Sequence, residues 1–382
     1  MNKSNSRSSR GKILVIGAGV SGLTTSLCLQ QRGFQVTVVA EKFSPHITSV
    51  VAGALWEWPP AVCGYHHDQI SLERSKGWCM TSYKIFADLA NNEETGVFMR
   101  GSVFYFKYQV EDSSKDLRKM NELKDKVREF RHDPGLIEEN GVNTQIGLKD
   151  AYSHLAPMVD TDKYMEWLLK EVRKAGCNII PIRISGNIIQ QEEKLKKEFG
   201  VDAIINCSGL GSMEIAGEYM YPLRGALVRV HNDGQTMPRI TKAHCVSHDE
   251  SRNEQDIVFI VPRGHNMLVL GGLAEPDEWS LNINLENYSP VRDMLERCIE
   301  FLPILKNARI DANEPVRVGL RPFRKANVRL EQEPNTSIFH NYGHGGAGVT
   351  FSWGCALEIA DMVESFLTDV LQASRGWFEP CD

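Results

Sequence analysis

Two glycine-rich runs could receive an anionic group, Gly17-Ala18-Gly19-Val20-Ser21-Gly22 near one end of the chain and His344-Gly345-Gly346-Ala347-Gly348-Val349-Thr350 near the other. A helix start offers free N–H groups and positive potential, and glycine keeps Cβ atoms out of the ligand's way. The first run follows Ile13-Leu14-Val15-Ile16 and leads into Leu23 to Leu29, the strand, turn and helix order of a dinucleotide fingerprint. Glu41 ends the next apolar segment, about 20 residues further on, where a carboxylate accepts from ribose hydroxyls and repels a ribose phosphate. That disfavours NADP and leaves FAD and NAD open. Val201 to Gly209 ends in Cys207, Ser208 and Gly209, small residues that let an extended cofactor pass close to a strand end, as in flavoproteins.

Other chemistries find little support. His340 and His344 have the i, i+4 spacing of a metal pair, but they flank glycines where no helix holds them on one face, so no metal site is expected. His66 and His67 read as surface residues. No Gly-x-Ser-x-Gly elbow exists to anchor a hydrolase. The nine cysteines form no CxxC pair and leave one over, which fits reduced, buried thiols and a cytoplasmic setting.

The elements that must hold the glycine runs are legible. Lys12 to Gly17 and Gln35 to Glu41 read as buried parallel strands, joined by a helix from about Ser21 to Arg32 that stops at Gly33. Asn178 to Ile184, Val201 to Cys207 and Ser337 to Tyr342 continue this sheet, with a helix over Lys163 to Lys174 and a long amphipathic one from Phe351 to about Leu371. Gly101 to Val110, Arg224 to Val230, Asp256 to Val261 and Asn266 to Leu270 are β-rich with turns between them. The fold class is therefore α/β. A discontinuous Rossmann-like domain over 11–58, 153–220 and 316–372 is joined to a largely antiparallel α+β domain over 59–152 and 221–315. Asp112 to Asp133 reads as one amphipathic helix with a solvated charged face.

At 382 residues the chain can bury the cores of two domains. A net charge of −6 and a pI near 6.0 give no global attraction to nucleic acid or anionic lipid. Residues 1–10 lack an apolar core segment and read as a disordered tail, neither signal peptide nor anchor, and the C-terminus matches no short address motif. Small molecules are the expected partners.

With Val318-Gly319-Leu320-Arg321-Pro322-Phe323-Arg324, Val51-Ala52-Gly53, Leu305 to Arg309 and Trp353 to Glu358 in the same order, nearly the whole chain resembles the D-amino-acid oxidase family. The resemblance implies non-covalent FAD, a D-amino acid held between the flavin and an antiparallel sheet, and a homodimer. It places Gly17, Ala18, Gly19, Val20, Ser21 and Gly22 at the pyrophosphate, Glu41, Lys42 and Ile184 at the adenosine, and Thr48 and Ser49 along the pyrophosphate and ribityl chain. Gly53 and Ala54 back the flavin, beside Cys207 and Ser208. Gly345, Gly346, Gly348, Val349 and Thr350 approach its pyrimidine end.

Arg321 matches the family's carboxylate-binding arginine, whose planar fork clamps a carboxylate and aims the substrate's Cα–H at the flavin for hydride transfer. Hydrolysis of the imine to an oxo acid and ammonia follows, and oxygen yields hydrogen peroxide. Arg317 and Arg324 lie close enough in sequence for Arg321 to be paired to a structural acid instead. Phe259 stands where the family carries a substrate-binding tyrosine, and a second expected tyrosine falls near Gln255. Trp58, with Trp56, either lines an aromatic mouth beside Phe259 and Gly346 or packs in the core. A neutral, hydrophobic side chain is expected on the substrate, since Trp58 stands where D-aspartate specificity would place a basic group. A glycine- or sarcosine-oxidase-like amine oxidase and a non-catalytic nucleotide-binding protein are the alternatives.

Overall fold

The computed structural model describes residues 10–59, 68–246 and 257–376. The tail before Arg10, His66, His67 and Gln255 lie outside these residues. The chain opens with β1 (Lys12–Ile16), α1 (Val20–Gln31) and β2 (Gln35–Val39). β1 pairs β2 in parallel, Ile13 against Val36, and its Ile13, Leu14 and Val15 are fully buried, as a strand covered on both faces requires. Gly33 ends the α1 unit at φ +89°, a left-handed conformation that costs glycine least. The short α2 (Thr48–Val51) precedes α3 (Gln69–Leu89), where the Asp68 carboxylate caps the helix by accepting from Ser71 N at 2.7 Å.

The chain then enters a second sheet through β3 (Val97–Phe106), α4 (Ser114–Leu123), β4 (Arg131–His132), α5 (Leu136–Glu139) and β5 (Asp150–Val159). It returns to the first through α6 (Thr161–Lys174), β6 (Asn178–Ile180), α7 (Glu192–Phe199), β7 (Ala203–Asn206) and α8 (Ser212–Ile215). A second excursion comprises β8 (Met220–His231), β9 (Ala243–Val246), β10 (Val258–Arg263), β11 (Met267–Gly271), β12 (Glu275–Pro276), α9 (Ser289–Phe301) and β13 (Val316–Arg324). β14 (Arg329–Gln332), β15 (Ile338–Tyr342) and α10 (Gly348–Gly376) complete the first layer.

Among the described residues the first sheet has the order β14-β15-β7-β1-β2-β6, parallel except for β14. The second runs β12-β8-β11-β10-β9-β3-β5-β4 with β13 on β8, and is antiparallel apart from β3 with β9. A large apolar core joins α1, α3, α6 and α10 to one face of each sheet, from Val15 and Leu23 to Phe104 and Cys245. The far face of the second sheet packs under α9 through Val291, Met294, Cys298 and Phe301. Leu195 of α7 covers the far face of the first, against Leu14 and Ile204.

Three expectations are corrected. β13 and all of β5 pair within the antiparallel sheet, so the segments starting at 153 and 316 begin in the second layer. α3, expected with the substrate domain, packs on α10: Trp78 lies 5.9 Å from Phe351, ring centre to ring centre. The amphipathic run after Asp112 is helical over Ser114–Leu123 alone, because its apolar face is short and just Met120 and Leu123 become buried.

Candidate cofactor and substrate site

Both glycine runs open into one cavity of about 1630 Å³ between the sheets, larger than the roughly 300–1,000 Å³ of a site for one small ligand. Gly17 to Ser21, Glu41, Lys42, Thr48, Ser49, Gly53, Ala54, Ile184, Cys207, Ser208 and the loop Gly345 to Thr350 all line it. Gly22 does not. A Cβ there would meet Gly17 O at 2.0 Å, so Gly22 serves the packing of helix on turn. Gly17, at φ +115°, would put a Cβ 2.4 Å from Cys207 O. Gly19 is different: its Cβ would meet Ser49 Oγ alone, at 3.3 Å, so the protein leaves that side open to the cavity.

The donors needed by a phosphate are present. Ser49 Oγ accepts from Val20 N at 3.0 Å and ties the first turn to α2, while the N–H groups of Ala18 and Gly19 meet no acceptor among the described residues. α10 starts at Gly348, behind the tight turn Gly345–Ala347, and points a second N-terminus at the cavity. His344 beside it is buried, its Nε2 has no partner among the described residues, and burial pushes its imidazole down to about 4. Cys207 is held as a thiol, its pKa pushed up to about 12 by burial. These free donors, and the backbone left bare at Gly19, fit an extended diphosphate ending in a flat ring. At the Glu41 end of the cavity Arg183, which no sequence pattern marked, stands 3.7 Å from Glu41 and donates to Glu214 at 2.9 Å.

The floor of the other end is the second sheet. Leu227, Gly271, Phe259, Cys245 and Phe104 are successive cross-strand partners on one face, and β13 brings Arg321 opposite Leu223. Arg321 Nη1 donates to Leu273 O at 3.3 Å, and no carboxylate among the described residues pairs with it. Its guanidinium lies flat over Gly225, where a Cβ would come within 2.5 Å of it. Burial pushes its pKa down to about 10, which still leaves it charged at neutral pH. The neighbouring arginines are the structural ones: Arg317 binds Asp162 and Glu314, each at 2.8 Å, and Arg324 binds Glu218 at 3.1 Å. Phe259 lines the cavity with its ring against Gly53, whose Cβ would meet Phe259 Cε1 at 2.4 Å. Tyr221 and Tyr108 also line the wall, and both escaped the sequence pattern.

Trp58 is not on this wall. Residues 55–58 run extended, with Trp56 N donating to Pro157 O at 2.9 Å, so side chains alternate. Trp56 and Trp58 turn into the core, 2% exposed, where their indole N–H groups donate to Cys79 O and Glu122. Leu55 and Glu57 face the cavity. Of the two readings open for the tryptophans the structure gives core packing, and among the described residues Phe104, Phe259 and a carboxylate line the cavity here. Among the described residues no helix is long and apolar enough to cross a membrane.

The sequence model of the FAD dependent oxidoreductase family matches residues 12–362. A D-amino-acid oxidase of Rubrobacter xylanophilus is 31% identical over 366 residues, 94% of this chain and 99% of that protein. The D-aspartate oxidase of Homo sapiens is 28% identical, covering 92% of this chain and 94% of its own. Among solved structures, the glycine oxidase of Bacillus cereus superposes with a TM-score of 0.70 at 19% identity, covering 93% of this chain and 95% of that one. With a two-sheet fold, a cavity large enough for a dinucleotide and an arginine on its wall that meets no carboxylate among the described residues, the chain belongs to the D-amino-acid oxidase family of FAD-dependent oxidoreductases.

Proposed function

We propose that the protein oxidises a D-amino acid, removing the Cα hydrogen and an electron pair to give an imino acid that water converts to an oxo acid and ammonia. Arg321 carries this reading: a half-buried cation on the cavity wall with no acidic partner among the described residues is matched by a ligand carboxylate. Two parallel hydrogen bonds from its fork hold the α-carboxylate and fix the face that the substrate turns to the cofactor. Bound FAD supplies the two-electron acceptor, which oxygen returns to the oxidised state with release of hydrogen peroxide. Gly17 to Ser21 and the start of α10 hold the cofactor, and Phe104, Phe259 and Leu227 keep water from the reacting carbon. No base is required of the chain if the amine arrives neutral. The relatives support the choice, since D-amino-acid and D-aspartate oxidases both match over most of the chain.

Anaerobic mixing of the holoenzyme with matched D- and L-amino acids is the test. Bleaching of the flavin by D-enantiomers supports the reading. Bleaching by glycine or secondary amines alone transfers the chain to the glycine-oxidase-like class.

A further inference from the structure

Glu57 is the one carboxylate of the 53–58 segment, it lines the substrate end of the cavity, and the reaction above leaves it without a task. Among the described residues no hydrogen-bond donor and no ion pair reaches its carboxylate. The nearest cationic influence is Lys119 of α4, which lines the same wall beyond ion-pair distance, while burial pushes the Glu57 carboxyl above its ordinary range. The other charges of α4 on this wall are Lys115 and Asp116, and Asp116 is already occupied, accepting from Tyr108 and Ser113 hydroxyls at 2.7 Å each. A half-buried carboxylate without a partner loses part of its hydration, and a cation brought by the ligand offsets that loss.

The spacing of the two charged groups matters as much. Arg321 spreads over Gly225 of β8 and reaches Leu273, just past β11. The Glu57 charge acts on Cys245 of β9 and Tyr152 of β5. Between them lie β11 and β10, with Phe259 on the floor. Strands are about 4.8 Å apart, so the three intervals from β8 to β9 make a gap of roughly 14 Å, a hydrogen bond at each end included. A short side chain anchored on Arg321 leaves Glu57 untouched, whereas a long, unbranched one with a nitrogen at its tip spans the gap over an apolar floor.

On the reading that Arg321 takes the α-carboxylate, we propose that Glu57 receives the side-chain cation of the substrate, which is a D-amino acid ending in an ammonium or guanidinium. This replaces the neutral side chain expected from Trp58.

Binding and turnover test it separately. Calorimetry on the holoenzyme with ε-aminocaproate and caproate, which have no α-amine to oxidise, should show the aminated acid bound about tenfold or more tightly, the yield of one charge-assisted hydrogen bond. In Glu57→Gln that preference should vanish while flavin content stays unchanged. Anaerobic flavin reduction should likewise favour D-lysine over D-norleucine, reversing in the variant. Equal binding of the two acids, a preference that survives Glu57→Gln, or D-aspartate as the best substrate would each overturn the proposal. If D-norleucine bleaches the flavin as well as D-lysine, the cation site fails and the D-amino-acid reading stands. If the Glu57-dependent binding preference holds but no D-amino acid bleaches the flavin, the reading fails and the cation site stands.

Discussion

Arg321 and Arg317 lie four residues apart on β13 and have opposite surroundings, which separates an arginine open to a ligand from a structural one. Arg317 is saturated by Asp162 and Glu314. Among the described residues Arg321 meets one backbone carbonyl, with a bare glycine beneath it and the cavity in front. Arg321→Ala is therefore expected to retain bound FAD and to lose about 100-fold or more in kcat/KM for D-amino acids, since two charge-assisted hydrogen bonds disappear from the substrate and none from the cofactor. Absorbance at the flavin band gives occupancy and oxygen uptake gives turnover. Unchanged kcat/KM would remove Arg321 from the site. Sequence could name Arg321 through the motif around it but could not show its solitude, because pairing depends on which acids the fold brings close. The same limit applied at Trp58: bulk and apolarity made it a candidate wall, yet the alternation of an extended segment turned it inward and turned Glu57 out.

At the scale of elements, the segment from α2 to Gly53 forms a wall of the cavity and is held from behind by a buried arginine of β10. Arg263 Nη2 donates to Ala52 O at 2.6 Å and to Gly53 O at 3.4 Å, and its Nη1 donates to Thr161 Oγ1, which in turn donates to Val50 O at 2.6 Å. Asp160 and Asp162 supply countercharge, and burial pushes the guanidinium down to about 10. Arg263→Met keeps the bulk and removes three donors, so the carbonyls of the 50–53 wall lose their anchor. FAD should dissociate about tenfold more readily, measured by fluorescence of released flavin, and Thr161→Val should give a smaller loss in the same direction. Wild-type flavin affinity in Arg263→Met would mean that the wall is held by other contacts. The βαβ unit was legible because strand, glycine turn and Gly33 stop agree locally, and the discontinuity of the first layer followed from the spread of its strands. The membership of β13 was not legible. Its alternating pattern suits an edge of either sheet, and nine paired residues with β8, from Val316↔Val228 to Arg324↔Met220, decide the matter only once the chain has folded.

Over the whole molecule, the two layers bury four imidazoles that the native state keeps neutral. His154, His244 and His340 lie in the sheets and His344 at the cavity, and burial lowers each from 6.5 to about 4. The unfolded chain takes up a proton on each near 6.5, whereas the folded chain resists until about 4, so between those values the unfolded state binds more protons and stability rises with pH. Their contribution is complete above pH 6.5 and is lost as pH falls through the folded value, at up to about 1.4 kcal/mol per pH unit for each group. The holoenzyme melting temperature should therefore change little from pH 8 to 7 and fall by several degrees between pH 7 and 5. His244 isolates one contribution, because its Nδ1 meets Tyr105 Oη at 3.0 Å and an asparagine amide preserves that contact without a titrating ring. His244→Asn should lower the melting temperature at pH 7 yet lessen its fall toward pH 5. A fall of the same size in the variant would show that His244 is already protonated in the native protein at pH 5, and that the second sheet does not exclude the proton as its packing implies.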